Sequence, residues 1–139
     1  MRLDHDLAAE RPEIAALDHL VLTVRDIAAT VDFYEQAIGM HAFTFADGAR
    51  TALAFGDQKI NLHELGAEYL PNARAAGSGT ADFCLLTQTP LEAVVAHLQR
   101  MGIPVEQGPD RADGAYAPLR SIWLRDPDGN LVELANPAD

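Results

Sequence analysis

Apolar residues recur along this chain at two spacings, and the switches between them mark out its elements. Leu17 to Val24 alternates as an extended strand does, with Leu20, Leu22 and Val24 on one face and His19, Val21 and Thr23 on the other. The first face is fully apolar and is expected to pack under a helix. Past Asp26, a helix-capping residue, Ile27, Val31, Tyr34 and Ile38 keep helical spacing until Gly39 ends it. Three short strand-like runs follow at 40–45, 50–55 and 58–64, separated by the turn signals Asp47-Gly48 and Gly56-Asp57. Residues 66–79, with Pro71, Asn72 and a run of small residues, break the pattern and read as a linker.

The order then begins again. Residues 80–87 form an apolar strand, and Thr89-Pro90-Leu91-Glu92 predicts a capping box with proline at the first helical position. Leu91, Val94, Val95, Leu98 and Met101 make the buried stripe of that helix, and Gly102 ends it. Strands are expected at 103–107, 119–125 and 131–135, with a loop at 110–118 and the turn Asp126-Pro127-Asp128-Gly129 before the last. The two halves repeat at one offset: 89 − 26, 94 − 31 and 102 − 39 are each 63, joining both caps, a core position and both stops. The pattern therefore predicts an α+β fold of two βαβββ modules, 17–64 and 80–135. They share a single domain, 16–139, behind an N-terminal arm, 1–15.

With 139 residues, 48% of them hydrophobic, the chain can fill one core. Ten basic residues against twenty-one acidic give a formal charge of −11, which argues against a nucleic-acid partner, since such affinity rests on neutralising phosphates. No apolar run is long enough to span a bilayer. The single cysteine, Cys84, allows no disulfide within the chain and suits a reducing, cytoplasmic setting. Within Phe83-Cys84-Leu85-Leu86 it reads as a small hydrophobe with a high pKa rather than a nucleophile.

Chemistry enters with the repeat. The 63-residue offset carries His19 onto Asp82, and aligning the last strands sets Leu62-His63 against Val132-Glu133. Each module then bears one potential metal ligand on its first strand and one on its last, on faces opposite the apolar positions. Singly, each has a plain structural explanation: His63 pairing with Glu64 or Asp57, Asp82 capping a loop, Glu133 ending a strand. As a set on a repeated scaffold they point to a divalent metal. His5, His41 and His97 lack that support, and His97 reads as solvated helix surface.

The stretches Leu17-Asp18-His19-Leu20-Val21-Leu22, Phe33-Tyr34 with Gly39-Met40, the block from Phe55 to Glu64, and the run from Arg125 to Glu133 resemble the vicinal-oxygen-chelate superfamily. That superfamily includes glyoxalase I, extradiol dioxygenases and the bleomycin- and fosfomycin-resistance proteins; the match covers about residues 15 to 137. The resemblance implies that two modules curl into a half-open barrel whose inward-facing residues bind a divalent ion: Fe, Mn, Ni or Zn. By position, His19, His63 and Glu133 are the implied ligands, with Glu133 also the catalytic proton carrier. Asp82 departs from the pattern, standing where many metal-binding relatives have histidine; it is a fourth ligand, an acceptor behind the ligands, or a solvent-facing residue. The implied function is a metal-dependent enzyme acting on a small substrate by bidentate oxygen coordination, as a glyoxalase-like lyase or isomerase or an extradiol-type dioxygenase. The alternative is a non-catalytic antibiotic- or metabolite-binding module of the bleomycin-resistance type, its cavity lined by Phe43, Phe45, Phe55, Tyr116 and Trp123. A homodimer is implied in either case.

Overall fold

The computed structural model describes residues 11–138; the arm expected at 1–15 lies mostly outside that range, as does His5. The first module runs β1 (His19–Val24), α1 (Ile27–Phe33), β2 (His41–Phe45), β3 (Arg50–Phe55) and β4 (Gln58–Glu64). The second runs β5 (Asp82–Leu86), α2 (Leu91–Arg100), β6 (Gln107–Asp113), β7 (Pro118–Arg125) and β8 (Leu131–Pro137). Each module folds into its own four-stranded sheet, in the orders β1-β4-β3-β2 and β5-β8-β7-β6, with the first and last strands parallel and the others antiparallel. The repeat seen in the sequence is thus a repeat of topology.

The apolar faces of both sheets feed one core. Leu22, Val24, Leu53, Ile60 and Leu62 from the first sheet and Ile122, Leu124, Val132 and Leu134 from the second pack with Tyr34, Leu91 and Leu98 from the helical segments. Each such side chain contributes roughly 1.5–3 kcal/mol on leaving water. The modules are also tied by polar contacts. Tyr34 donates its hydroxyl to Asp126 Oδ2 at 2.7 Å, and Arg25 reaches the Asp128 carboxylate at 3.0 Å.

Four local expectations are corrected. The first helix begins as expected, with the Asp26 carboxylate accepting from the Ala29 amide, but its last turn, Tyr34–Ile38, is π-helical before Gly39 turns the chain at φ 88°. The capping box does not form: Pro90 occupies the cap position of α2, and Asn136 of β8 caps the helix instead. Its side chain accepts from the Leu91 amide and donates to the carbonyls of Thr87 and Thr89. The expected strand at 103–107 is displaced, since Ile103 and Val105 pack on the core and β6 begins only at Gln107. The register of β6 shifts between Gln107 and Asp110, where Gly108 and Pro109 make a bulge, so this polar edge strand carries no alternating apolar signal. His97 is half-buried rather than solvated, with Nε2 at 2.9 Å from the Gln36 carbonyl oxygen.

Candidate functional site

Strand register decides which residues share the faces turned away from the core. On the first sheet these are His19, Val21 and Thr23, then Lys59, Asn61 and His63, then Arg50, Ala52 and Ala54, and at the edge His41, Phe43 and Phe45. On the second sheet Asp82, Cys84 and Leu86 stand beside Leu131, Glu133 and Ala135, with Trp123 next to Glu133. Neither face is covered by the other module. Val21 is 44% exposed and Leu86 67% exposed.

All four residues singled out in the sequence lie on these open faces. The structure does not bring them together within one chain: among the described residues no three His, Cys, Asp or Glu side chains form a group able to hold a metal. His19 pairs with Lys59 and His63 with Thr23, so the two histidines stand four residues apart along adjacent parallel strands, roughly 13 Å at the usual rise per residue. Asp82 and Glu133 belong to the other sheet. His19 has its Nδ1 2.8 Å from the Asp18 carboxylate.

The register also corrects the alignment of the two last strands. Glu133 pairs with Cys84, and the residue paired with Val21, the first-module counterpart of Cys84, is Asn61. His63 corresponds to Ala135, two residues further on. Asn61 is 5% exposed, and its Oδ1 has no hydrogen-bond partner. An orphaned acceptor of that kind is costly unless something outside the chain uses it.

His63 sits in a cluster of its own. It is 3% exposed, and a guanidinium nitrogen of Arg50 lies 3.1 Å from its Nε2. Guanidinium only donates, so Nε2 accepts and the neutral ring carries its proton on Nδ1, which has no partner. Burial first, and the Arg50 charge second, hold the His63 pKa below its ordinary value. The linker closes over this end of the sheet. Tyr69 meets the His63 ring edge-on at 5.5 Å, its hydroxyl donates to the Ala49 carbonyl, and Arg50 is held between the rings of Phe45 and Tyr69 at 5.1 and 4.6 Å. Beneath the linker, between the modules, is a cavity of about 170 Å³ whose polar lining includes Thr23, His63, Asn72 and Asn130.

On the second sheet a larger cavity of about 470 Å³ opens beside Glu133, under the loop around Tyr116, with Cys84, Leu86 and Leu119 in its wall. Cys84 is exposed here rather than packed inside. Its thiol pKa is nevertheless pushed up to about 11, by partial burial first and then by the neighbouring Glu133 carboxylate. It is a poor nucleophile, as its sequence context suggested.

Residues 16–134 match the model of the Glyoxalase/Bleomycin resistance protein/Dioxygenase superfamily. The chain belongs to that superfamily. It is 47% identical over 122 residues to virulence protein STM3117 of Salmonella typhimurium, covering 88% of this chain and 84% of that one. The crystal structure of STM3117 superposes with a TM-score of 0.89, covering 91% of this chain and all of that chain. Glyoxalase domain-containing protein RDO1 of Mycosarcoma maydis is 44% identical over 126 residues, covering 91% of this chain and 70% of RDO1. Lactoylglutathione lyase from Agrobacterium tumefaciens, at 21% identity and TM-score 0.68 over 90% of this chain and 96% of that one, shares the fold. Members of the superfamily typically bind divalent metals and small molecules. No helix among the described residues is long and apolar enough to cross a membrane.

Proposed function

We propose that this superfamily member is a metal-dependent enzyme acting on a small, oxygen-bearing substrate in a cleft that two copies complete. The observation that carries the reading is the buried, unpartnered Oδ1 of Asn61 at the position that matches Glu133 in the repeat. The offset of 63 likewise matches His19 to Asp82. Each sheet thus offers one donor on its first strand and one on its last, and neither sheet holds enough donors alone. Pairing the first sheet of one copy with the second sheet of another would unite His19 and Asn61 with Asp82 and Glu133. The open faces differ in charge: the first carries Lys59, Arg50 and three histidines without a carboxylate, while the second carries Asp82, Asp110 and Glu133 with one cation, Arg125.

One imidazole and three oxygen donors suit a mid-row divalent ion such as Mn(II), Fe(II) or Zn(II). When bound, the ion supplies a Lewis acid for two adjacent substrate oxygens, a step common to glyoxalase-like lyases and isomerases and to ring-cleaving dioxygenases. Glu133, beside the 470 Å³ cavity, is the carboxylate placed to take or return a proton. His63, with Nε2 engaged by Arg50, is not among the residues that would hold the ion. A second reading, a binding module that sequesters its ligand without turnover, is favoured by the mainly apolar wall that Leu86, Tyr116 and Leu119 give that cavity.

The test is metal bound per chain, with sedimentation recording the oligomer. Glu133→Ala should lower metal affinity by at least about tenfold, or ~1.4 kcal/mol, while His63→Asn leaves it nearly unchanged. A monomer that binds metal fully, or a Glu133→Ala protein that binds as wild type does, would overturn the reading. Turnover that survives exhaustive chelation would exclude the metal mechanism, and tight binding without turnover would favour the sequestering module.

A further inference from the structure

The linker between the modules is held down at both ends. Near its start the Tyr69 hydroxyl is tied to the Ala49 carbonyl, and near its end Ser78 donates to the Asp128 carboxylate at 2.6 Å. Between those ties Ala73, Ala75, Ala76 and Gly77 line the cavity beneath, so no side chain longer than a methyl group reaches into it from this stretch. A space of about 170 Å³ stays open there, although close packing leaves few voids larger than a water. Cavities of roughly 150 Å³ already admit one small ring compound.

Two buried polar side chains in its lining, one from each module, set the chemistry: His63 is 3% exposed and Asn130 1% exposed. Arg50 occupies Nε2 of His63 and so leaves an Nδ1–H with no partner. Asn130 accepts from the Ala81 amide at 2.9 Å and gives one amide hydrogen to Asp126 at 2.8 Å, which leaves its second N–H to give. Unsatisfied buried donors are costly, and an acceptor inside the cavity would satisfy them. Both donors are uncharged, and no Asp, Glu, Lys or Arg side chain is in the lining, so a neutral acceptor suits the site better than an ion.

We infer that the cavity beneath the linker binds a small uncharged carbonyl compound, whose oxygen accepts from His63 Nδ1–H and the spare Asn130 N–H while its carbon skeleton lies against Val21, Leu22 and Ala81. A carbonyl oxygen has two lone pairs for two donors and brings no hydrogen that needs an acceptor of its own. The site goes beyond the metal cleft proposed above, since it needs neither an ion nor a second copy. A ligand there bridges the two modules.

The experiment is an NMR titration of the isotope-labelled protein with cyclopentanone in the presence of a chelator, with cyclopentene as the isostere that lacks the oxygen. Cyclopentanone should move the His63 ring N–H and the Asn130 side-chain amide resonances along a saturable curve, and cyclopentene should bind more weakly. His63→Phe keeps a ring and loses the donor, so it should weaken cyclopentanone binding about two- to tenfold, the range of one neutral hydrogen bond. His63→Asn, which keeps an N–H near the Nδ1 position, should bind cyclopentanone better than His63→Phe. Ala76→Leu adds three carbons to the roof of the cavity and should abolish binding of both compounds; it serves if His63→Phe does not fold. Equal affinity for ketone and alkene, or a ketone response indifferent to both His63→Phe and Ala76→Leu, would overturn the inference. So would the lack of any saturable response, which would leave the cavity to water alone. The titration is run without metal, so its failure would leave the metal reading standing.

Discussion

Replacing Tyr34 by phenylalanine removes one atom from the tie between the two modules. The Tyr34 ring is fully buried, and its hydroxyl donates at 2.7 Å to Asp126 Oδ2, 92 residues away in sequence. Asp126 keeps its other donors: the amides of Asp128 and Asn130 at 2.9 Å on Oδ1, and Asn130 Nδ2 at 2.8 Å on Oδ2. Hydrogen bonds to charged acceptors contribute about 1.5–3 kcal/mol, and because Oδ2 stays partly satisfied the loss should lie in the lower half, about 1.5–2 kcal/mol. For a domain of this size that is a drop of roughly 5–10 °C in Tm. Urea denaturation at neutral pH measures it directly, with the slope m unchanged because the surface exposed on unfolding is the same. A loss below about 0.5 kcal/mol would mean that the hydroxyl is no better satisfied here than in water. The same carboxylate organises the turn from Asp126 to Asn130 that leads into β8. The variant's metal affinity, measured well below its Tm, should therefore stay close to wild type, since the three remaining bonds still hold that turn.

Other changes test other parts of the structure. His63 has its pKa lowered in the fold below the ordinary 6.5, so the unfolded chain takes a proton that the folded one resists. Its contribution to stability is therefore present above about pH 6.5 and is lost as pH falls from there through the lowered folded value. Urea midpoints compared at about pH 7.5 and 5.5 should differ less in His63→Asn than in wild type, and an equal difference would show that His63 does not titrate as described. Gly79 has φ +73°, and an added Cβ would lie 2.5 Å from the Asp128 carbonyl oxygen, so Gly79→Ala should cost more than about 2 kcal/mol. A neutral Gly79→Ala would show that the junction into β5 can shift to make room. Asn136→Ala, which removes the cap of α2, should cost about 1–2 kcal/mol; an unchanged denaturation midpoint would mean water replaces the amide without loss.

The fold was legible wherever an apolar period met its own punctuation. Both helices, seven of the eight strands and the repeat followed from alternation or helical spacing closed by Asp, Gly or Pro, because those patterns are what one buried face requires. Two of the failures share a cause, a distant residue that supplies what local sequence seems to lack. Thr89 and Glu92 have the spacing of a capping box, but Asn136 from β8 reaches the Leu91 amide first, leaving Glu92 to pair with Arg120. In β6 the residues Gln107 to Asp113 pair only with β7 at the edge of the sheet, where burial imposes no alternation. His97 looked solvated because its helical position is polar; the Gln36 carbonyl it meets belongs to the other module.

The face on which each candidate residue lies was legible in the sequence and its depth along the strand was not, and the physical reason is the period of a strand. A slip of one residue exchanges the two faces and is detected at once against the apolar positions, whereas a slip of two restores the face. Asn61 and His63 both satisfy the parity expected of a partner to Glu133. Residue chemistry then favours the histidine, since imidazole is the commoner metal ligand. Only the ladder separates them: Val21 opposite Asn61, Thr23 opposite His63, and Cys84 opposite Glu133. That two-residue step, near 7 Å along the strand, moves His63 away from the position matched to Glu133 and into contact with Arg50. There the guanidinium occupies Nε2 and fixes the proton on Nδ1, which turns a candidate metal ligand into a hydrogen-bond donor. Arg50 itself gave no sequence signal, because a basic residue opening a strand after a turn is ordinary. Its importance arises from β3 and β4 pairing antiparallel, which sets the first residue of one strand beside the end of the other.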